Sequence, residues 1–537
     1  LDTTTNAFTG AVTITTNDNS GTDADVTIDG GTTALVLAAS TIDGDLTVIN
    51  GNSITDSGTV TVGGSLVATT DANNGLINFD TLAVNRRVQL TTNGSGNATV
   101  VNDAGLTFSV STVGGNLSAT ATTGNITDNG KLTIAGTSSF TTSADNADIT
   151  LNNPNAFTGA VALNTTGSTG DATIDNGTTA LILATSSVGG DLRLTSGNTS
   201  GITDSGTITV GGNLAATTDA NNGLINMDTL TVDGTVALTT NGSGNATIDN
   251  GTTALNIAAS SVGGNLTLTS GNASGITDSG TVTVGGNLAA TTDANNGVID
   301  MGTLAVDGSF TLAPDGTGAV TIVNADGLTF STSTLGGTLN ATATTGNIND
   351  MGTLTVTGTS TLTTSANNAN INLNNSNAFT GAITISTTGS NANASIKNVT
   401  TALEIAESSV GGNLTLTSKS DISLTGNIAA KGLTLTADSN IVLKADVETR
   451  VGSFTATADA NNNKNGNFIL DAGKTITSAD NVTIEAFKIE ELGTINATGV
   501  KKLTTKFKPP IPDEELIDAA EEVQFLQALS DIATKGC

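Results

Sequence analysis

The stretch Asn265–Gly297, "NLTLTSGNASGITDSGTVTVGGNLAATTDANNG", decides the fold. Within it L-T-L-T, T-V-T-V and L-A-A-T alternate apolar with polar residues at period two, the spacing of a strand with one buried and one wet face. Gly-Gly and Asn-Asn-Gly punctuate the runs, supplying backbone conformations that most side chains avoid. Helical periodicity is absent. Short strands separated by such corners predict the coils of a parallel β-solenoid, each of about 20 to 25 residues.

The marker "VGGNL" and its variants order these coils along the chain. One set, preceded by a Ser/Thr pair, falls at Ile42, Val113, Val188, Val262, Leu335 and Val410, a nearly constant spacing. A second set at Val62, Val210 and Val284 follows Ile42, Val188 and Val262 by the length of a single coil. The spacings read as six supermodules of roughly 74 residues, each made of three coils. Stacked coils repeat every ~4.8 Å, so about twenty of them predict a rod on the order of 100 Å with two open strand edges to protect.

At 537 residues the chain is too long for one compact core, which agrees with a solenoid that grows along an axis. Its 17 Lys+Arg stand against 48 Asp+Glu, a formal net charge of -31. Nucleic acid and anionic membrane surfaces are therefore poor partners, since both require a basic face. No apolar run approaches the ~18 residues of a membrane span. Cys537 is the one cysteine, so no disulfide forms within the chain. Leu1 in place of Met reads as the start of a processed or excised segment.

The pattern changes near Ser418. The expected division is residues 1–417 as six supermodules, 418–505 as more divergent coils, 506–512 as a proline-rich linker and 513–537 as a helical tail. In the tail Leu516, Ala519, Ala520, Val523, Leu526, Leu529 and Ile532 share one helical face. The tail reads as an end cap or docking helix, with Leu516, Val523, Phe525, Leu526 and Cys537 as assembly or anchoring candidates.

Little in the chain suggests chemistry. "TTDANNG" recurs with Asp71, Asp219 and Asp293, which are weak calcium candidates. An EF-hand loop, however, requires Gly at its sixth position and Glu at its twelfth, and neither is present. The expected role is a structural turn with Asn in the left-handed region, and no cofactor is expected beyond weak Ca2+. "VGGNL" is read as a corner, because no Lys follows as a phosphate loop requires. "NAFTGAV", read as "NAFTGAI" at Asn377, places Phe8, Phe157 and Phe379 as core or corner plugs. Polysaccharide-cleaving β-helix enzymes require convergent carboxylates and aromatic platforms. This chain has no His, Tyr or Trp, and its acids recur in corners, so it reads as non-enzymatic.

The combination of "NAFTGAVTI", "TTALVLAAST", "SSVGGNLTLTS", "GNITDNGKLTIAGTSSFTT" and "ADITLNNPNAFTGAV" resembles the repetitive regions of filamentous-haemagglutinin-like exoproteins of the two-partner secretion route. The likeness runs from Leu1 to about Thr505. It implies a right-handed parallel β-helix, secreted through an outer-membrane barrel partner of Gram-negative bacteria and acting at the cell surface as an adhesin or matrix fibre. Glycans or copies of itself are the expected ligands. The paired carboxy-terminal cysteines that hook some family members in their barrel have no counterpart beside Cys537. A self-assembling filament or surface-layer-like subunit is the second reading.

Overall fold

The computed structural model describes residues 1–2, 6–17, 23–293 and 296–507. The chain is an all-β parallel β-solenoid of about 23 turns, with no helix among the described residues. The expected tail helix lies outside them. Contacts divide the chain into two compact units, Leu1–Asn393 and Ala394–Cys537.

Period-two alternation becomes burial residue by residue. In the strand Leu266–Ser270 the first, third and fifth side chains are buried and the two threonines face outward. The next coil repeats this in register, Leu266 opposite Leu288, Leu268 opposite Ala290 and Ser270 opposite Thr292. Each coil thus satisfies the backbone of its neighbours and adds one layer of Leu, Val and Ile to a core without Trp or Tyr. Phenylalanines are the largest side chains of the core. Phe140 lies between Phe108 and Phe157, with ring centroids 6.4 and 5.6 Å away in edge-to-face contact. Phe157 and Phe379 are buried plugs, while Phe8 is half-buried.

Within unit 1 the coil count corrects the expected three coils per supermodule. Register passes from Leu66 to Val88, from Val88 to Phe108, from Leu106 to Ile126, and then through Ile149, Ala172 and Leu192 to Leu214. Leu66 and Leu214 are equivalent positions two supermodules apart, and seven coil-to-coil steps connect them. One supermodule is therefore three and a half coils, not three. Equivalent residues of successive supermodules consequently sit in opposite sheets: Ala98 and Ala246 belong to one, Ala172 and Val320 to the other.

The half-coil arises because each half-turn takes one of two forms. One is a single strand such as Leu192–Ser196. The other is a pair of three-residue strands such as Ile276–Asp278 and Val282–Val284. Usually the forms alternate along the chain. Once per supermodule two single strands follow each other, as Thr235–Asn241 and Ala246–Asp249 do, and the pattern changes sheet.

A buried serine marks the change. Thr235–Asn241 pairs with two short strands of the following coil, Val236 opposite Ile257 and Thr239 opposite Ser261. Between these pairings the backbone ladder is broken, and the Ser260 hydroxyl bridges the gap. It accepts the Leu238 N–H at 3.0 Å and donates to the Ala258 carbonyl at 2.9 Å. Ser111, Ser186 and Ser333 do the same for Leu90, Leu163 and Leu312. These are the first members of the Ser/Thr pair that precedes one marker set. The other set carries Val60, Ile208 or Val282 at that position, buried as ordinary core.

Candidate functional site

The recurring "TTDANNG" corners are the leading site candidates, and their local structure follows from three side chains. The second threonine is buried and closes the loop from inside: Thr70, Thr218 and Thr292 donate to the carbonyls of Gly75, Gly223 and Gly297 at 2.9, 2.9 and 3.0 Å. The second asparagine adopts the left-handed conformation, with φ of 66° at Asn74, 62° at Asn222 and 61° at Asn296. Its side chain reaches the next coil. The Asn222 Oδ1 accepts the Ser243 N–H at 2.7 Å and the Ser243 hydroxyl at 2.8 Å, and Asn74 and Asn296 treat Ser95 and Thr317 alike. The loop is a rivet between coils.

Asp71, Asp219 and Asp293 are exposed. Backbone carbonyls of the first two accept the Nδ2 of Asn93 and Asn241 at 3.4 and 3.2 Å. The structure does not bring the three aspartates together. Asp71 and Asp219 share a sheet seven coils apart, some ~34 Å at 4.8 Å per coil, and Asp293 follows a strand of the opposite sheet. Among the described residues no group of three or more His, Cys, Asp or Glu is placed to hold a metal ion. Five millimolar calcium should therefore move the thermal midpoint by less than about 1 °C relative to chelator. A ligand present at a hundredfold its dissociation constant would add about 2.7 kcal/mol, and a rise of several degrees would identify these loops as calcium sites.

A second set of recurring aspartates, alternating between the two sheets, bonds to the following coil. Asp204 receives the Thr229 N–H and hydroxyl on Oδ2 at 2.9 and 2.7 Å, and Asp278 receives Thr303 the same way at 2.8 and 2.7 Å. Where "NAFTGAV" follows, Asp128 and Asp350 instead hold the buried amides of Asn155 and Asn377, at 2.7 and 2.6 Å. These carboxylates cap loops of the following coil. Their spacing in the recurring "ITD" and "IND" triplets was visible, but nothing in the triplet distinguishes a cap from a solvated acid.

The most regular buried polar set is of asparagine, its members alternating between the two sheets. Asn102, Asn176, Asn250 and Asn324 follow each other one supermodule apart and are buried. Asn250 accepts the Val232 N–H at 2.8 Å and donates to the carbonyls of Val232 and Ala254 at 3.1 and 2.9 Å. Identical spacing was the available signal. The "VGGNL" corner is likewise structural: its Asn or Asp accepts the backbone N–H of its counterpart one coil on, as Asn265 does from Asn287 at 2.9 Å. In unit 2 an open groove of about 400 Å³ is lined by Asp446, Glu448, Thr475 and Thr477. There Asp446 already accepts the Thr475 N–H at 2.8 Å.

The assembly candidates Leu516, Val523, Phe525, Leu526 and Cys537 lie outside the described residues. No described helix is long and apolar enough to cross a membrane.

The family described as "Repeats of unknown function (DUF5649)" matches residues 23–93, 95–164, 243–307, 317–386 and 391–458. Each match begins one or two supermodules after the one before it, so the family's unit is the supermodule and not the coil. No curated protein and no solved structure matches the chain.

Proposed function

The chain belongs to the DUF5649 repeat family, and on that premise we propose that it is a non-enzymatic adhesin or matrix fibre, secreted to the bacterial surface and mediating attachment between cells or to surfaces. One observation carries this reading. The wet face of coil after coil carries outward threonines, as in Leu266–Ser270 and Val282–Val284, so what the molecule offers a partner is a repeating hydroxyl and amide surface with acids set between. Many weak equivalent contacts give avidity without a single tight site. Glycans or further copies of the chain suit that surface. The resemblance to filamentous-haemagglutinin-like exoproteins supplies the outer-membrane barrel partner and the Gram-negative setting.

The test is retention of cells under flow on surfaces coated with the whole chain at graded density. Avidity predicts that retention rises more steeply than linearly with density and is lost on adding a competing soluble glycan. Retention equal to that on a coat of inert protein, or release of reducing sugar from glycans during the assay, would overturn the proposal.

A further inference from the structure

Unit 2 stops its described strands with an open layer. Lys488–Glu491, Thr494–Ala497 and Lys501–Thr505 pair inward with Asn467–Leu470, Thr475–Ser478 and Val482–Ala486, and no described strand lies on their other edge. Burial collapses across this one step. Val482–Ala486 alternates buried and half-buried residues, whereas every residue of Lys501–Thr505 is exposed. Leu492, Val500, Leu503 and Phe507 are 64, 68, 39 and 45% exposed. Apolar side chains and unpaired backbone edges thus face outward together, a combination that templates association unless something covers it.

We propose that the amphipathic segment 513–534 of the same chain covers this layer. Three observations point to it over any other occupant. The last described residues are fastened to the coil before them. The Lys506 and Phe507 N–H groups donate to Ala486 and Phe487 at 2.9 and 3.0 Å, the Phe487 and Phe507 rings meet edge to face at 5.4 Å, and the Lys506 ammonium bonds the Asp459 carbonyl and the Asn462 Oδ1, both at 2.8 Å. From that anchor six residues lead to Asp513, a reach of at most about 20 Å, so the segment is confined to this end.

The second observation is apolar complementarity. Leu516, Val523, Leu526 and Leu529 recur at helical spacing, a stripe that matches the open layer of Leu492, Val500 and Leu503. Charge is the third. Residues 488–507 carry Lys488, Lys501, Lys502 and Lys506 against Glu490 and Glu491, and stay net positive after Lys488 and Lys501 pair with those two glutamates, while Asp513, Glu514, Glu515, Asp518, Glu521 and Glu522 open the segment. The proposal does not depend on the adhesin reading.

Hydrogen exchange on the full-length chain tests it, comparing wild type with the double variant Val523→Glu, Leu526→Glu. With the segment in place, amides of residues 488–507 exchange slowly in wild type and at least about tenfold faster in the variant. Exchange in Val482–Ala486 and earlier strands stays unchanged, which shows that the variant is folded. Equal exchange at 488–507 in both chains would overturn the proposal. So would protection that disappears on dilution together with a dimer mass in sedimentation, because a second copy would then be the cover.

Discussion

Gly263→Ala is expected to be among the most damaging single-methyl changes in unit 1, although the added group is small and sits at a corner. A Cβ at Gly263 would stand 1.8 Å from the carbonyl oxygen of Gly242 in the preceding coil, far inside contact distance. That carbonyl cannot swing aside cheaply. Gly242 is itself held in the left-handed region at φ 64°, and the Gly263 N–H is bonded to the Thr240 hydroxyl at 3.0 Å. Overpacking of this kind costs about 3 kcal/mol or more when backbone must move. Gly302→Ala provides the control, because a Cβ there meets nothing within 4 Å, and it should stay within about 0.5 kcal/mol of wild type. Urea midpoints together with hydrogen exchange around the altered coil separate the two. Equal midpoints for both variants would mean that the coils are not stacked as closely as described.

Asn250→Ala should cost a comparable amount for a different reason. The side chain is fully buried and makes three hydrogen bonds to backbone, so its loss strands the Val232 N–H and carbonyl away from water and takes a partner from the half-buried Ala254 carbonyl. Each such group left unpaired costs about 1 to 3 kcal/mol, giving about 3 to 5 kcal/mol after partial relaxation. Asn50 stands at a similar place in an earlier coil and is equally buried. It donates to the Ser53 carbonyl at 2.8 Å, but its Oδ1 has no hydrogen-bond partner. Asn50→Ala should therefore cost less than half as much. Because repeat arrays open locally, the comparison belongs to exchange rates in the affected coils as well as to the global midpoint. Equal losses at the two positions would show that volume, and not hydrogen bonding, sets the cost.

The path from letters to fold was open where side-chain type alone decides the outcome. Alternation in Leu266–Ser270 announces a strand with one wet face, and Asn-Asn-Gly at Asn222 announces a left-handed turn. Coil count was harder to see. A single strand such as Leu192–Ser196 and a split pair such as Ile276–Asp278 with Val282–Val284 fill equivalent half-turns, yet the pair uses more of the chain and carries the "VGG" marker. Counting markers therefore counts one form of half-turn and misses the place where two single strands meet. Ser260 was visible as part of a Ser/Thr pair, but its use as a substitute carbonyl and N–H partner depends on a gap that exists only once two coils are stacked. The capping role of Asp204 and Asp278 was hidden for the same reason. Asp204 and Asp278 are composed like ligands, and the donors that engage them come from the following coil, remote in the chain.

The half-coil left over in each supermodule gives unit 1 the symmetry of a two-fold screw: advancing one copy turns the pattern through half a revolution, and two copies restore it. Copy number in such a molecule has parity. Gain or loss of one copy keeps the order of strand forms, yet the part of unit 1 beyond the junction is presented on the reverse side. Gain or loss of two leaves the presentation unchanged and alters only the length. One such event would reorient every surface from the junction to the end of unit 1 without a single new residue.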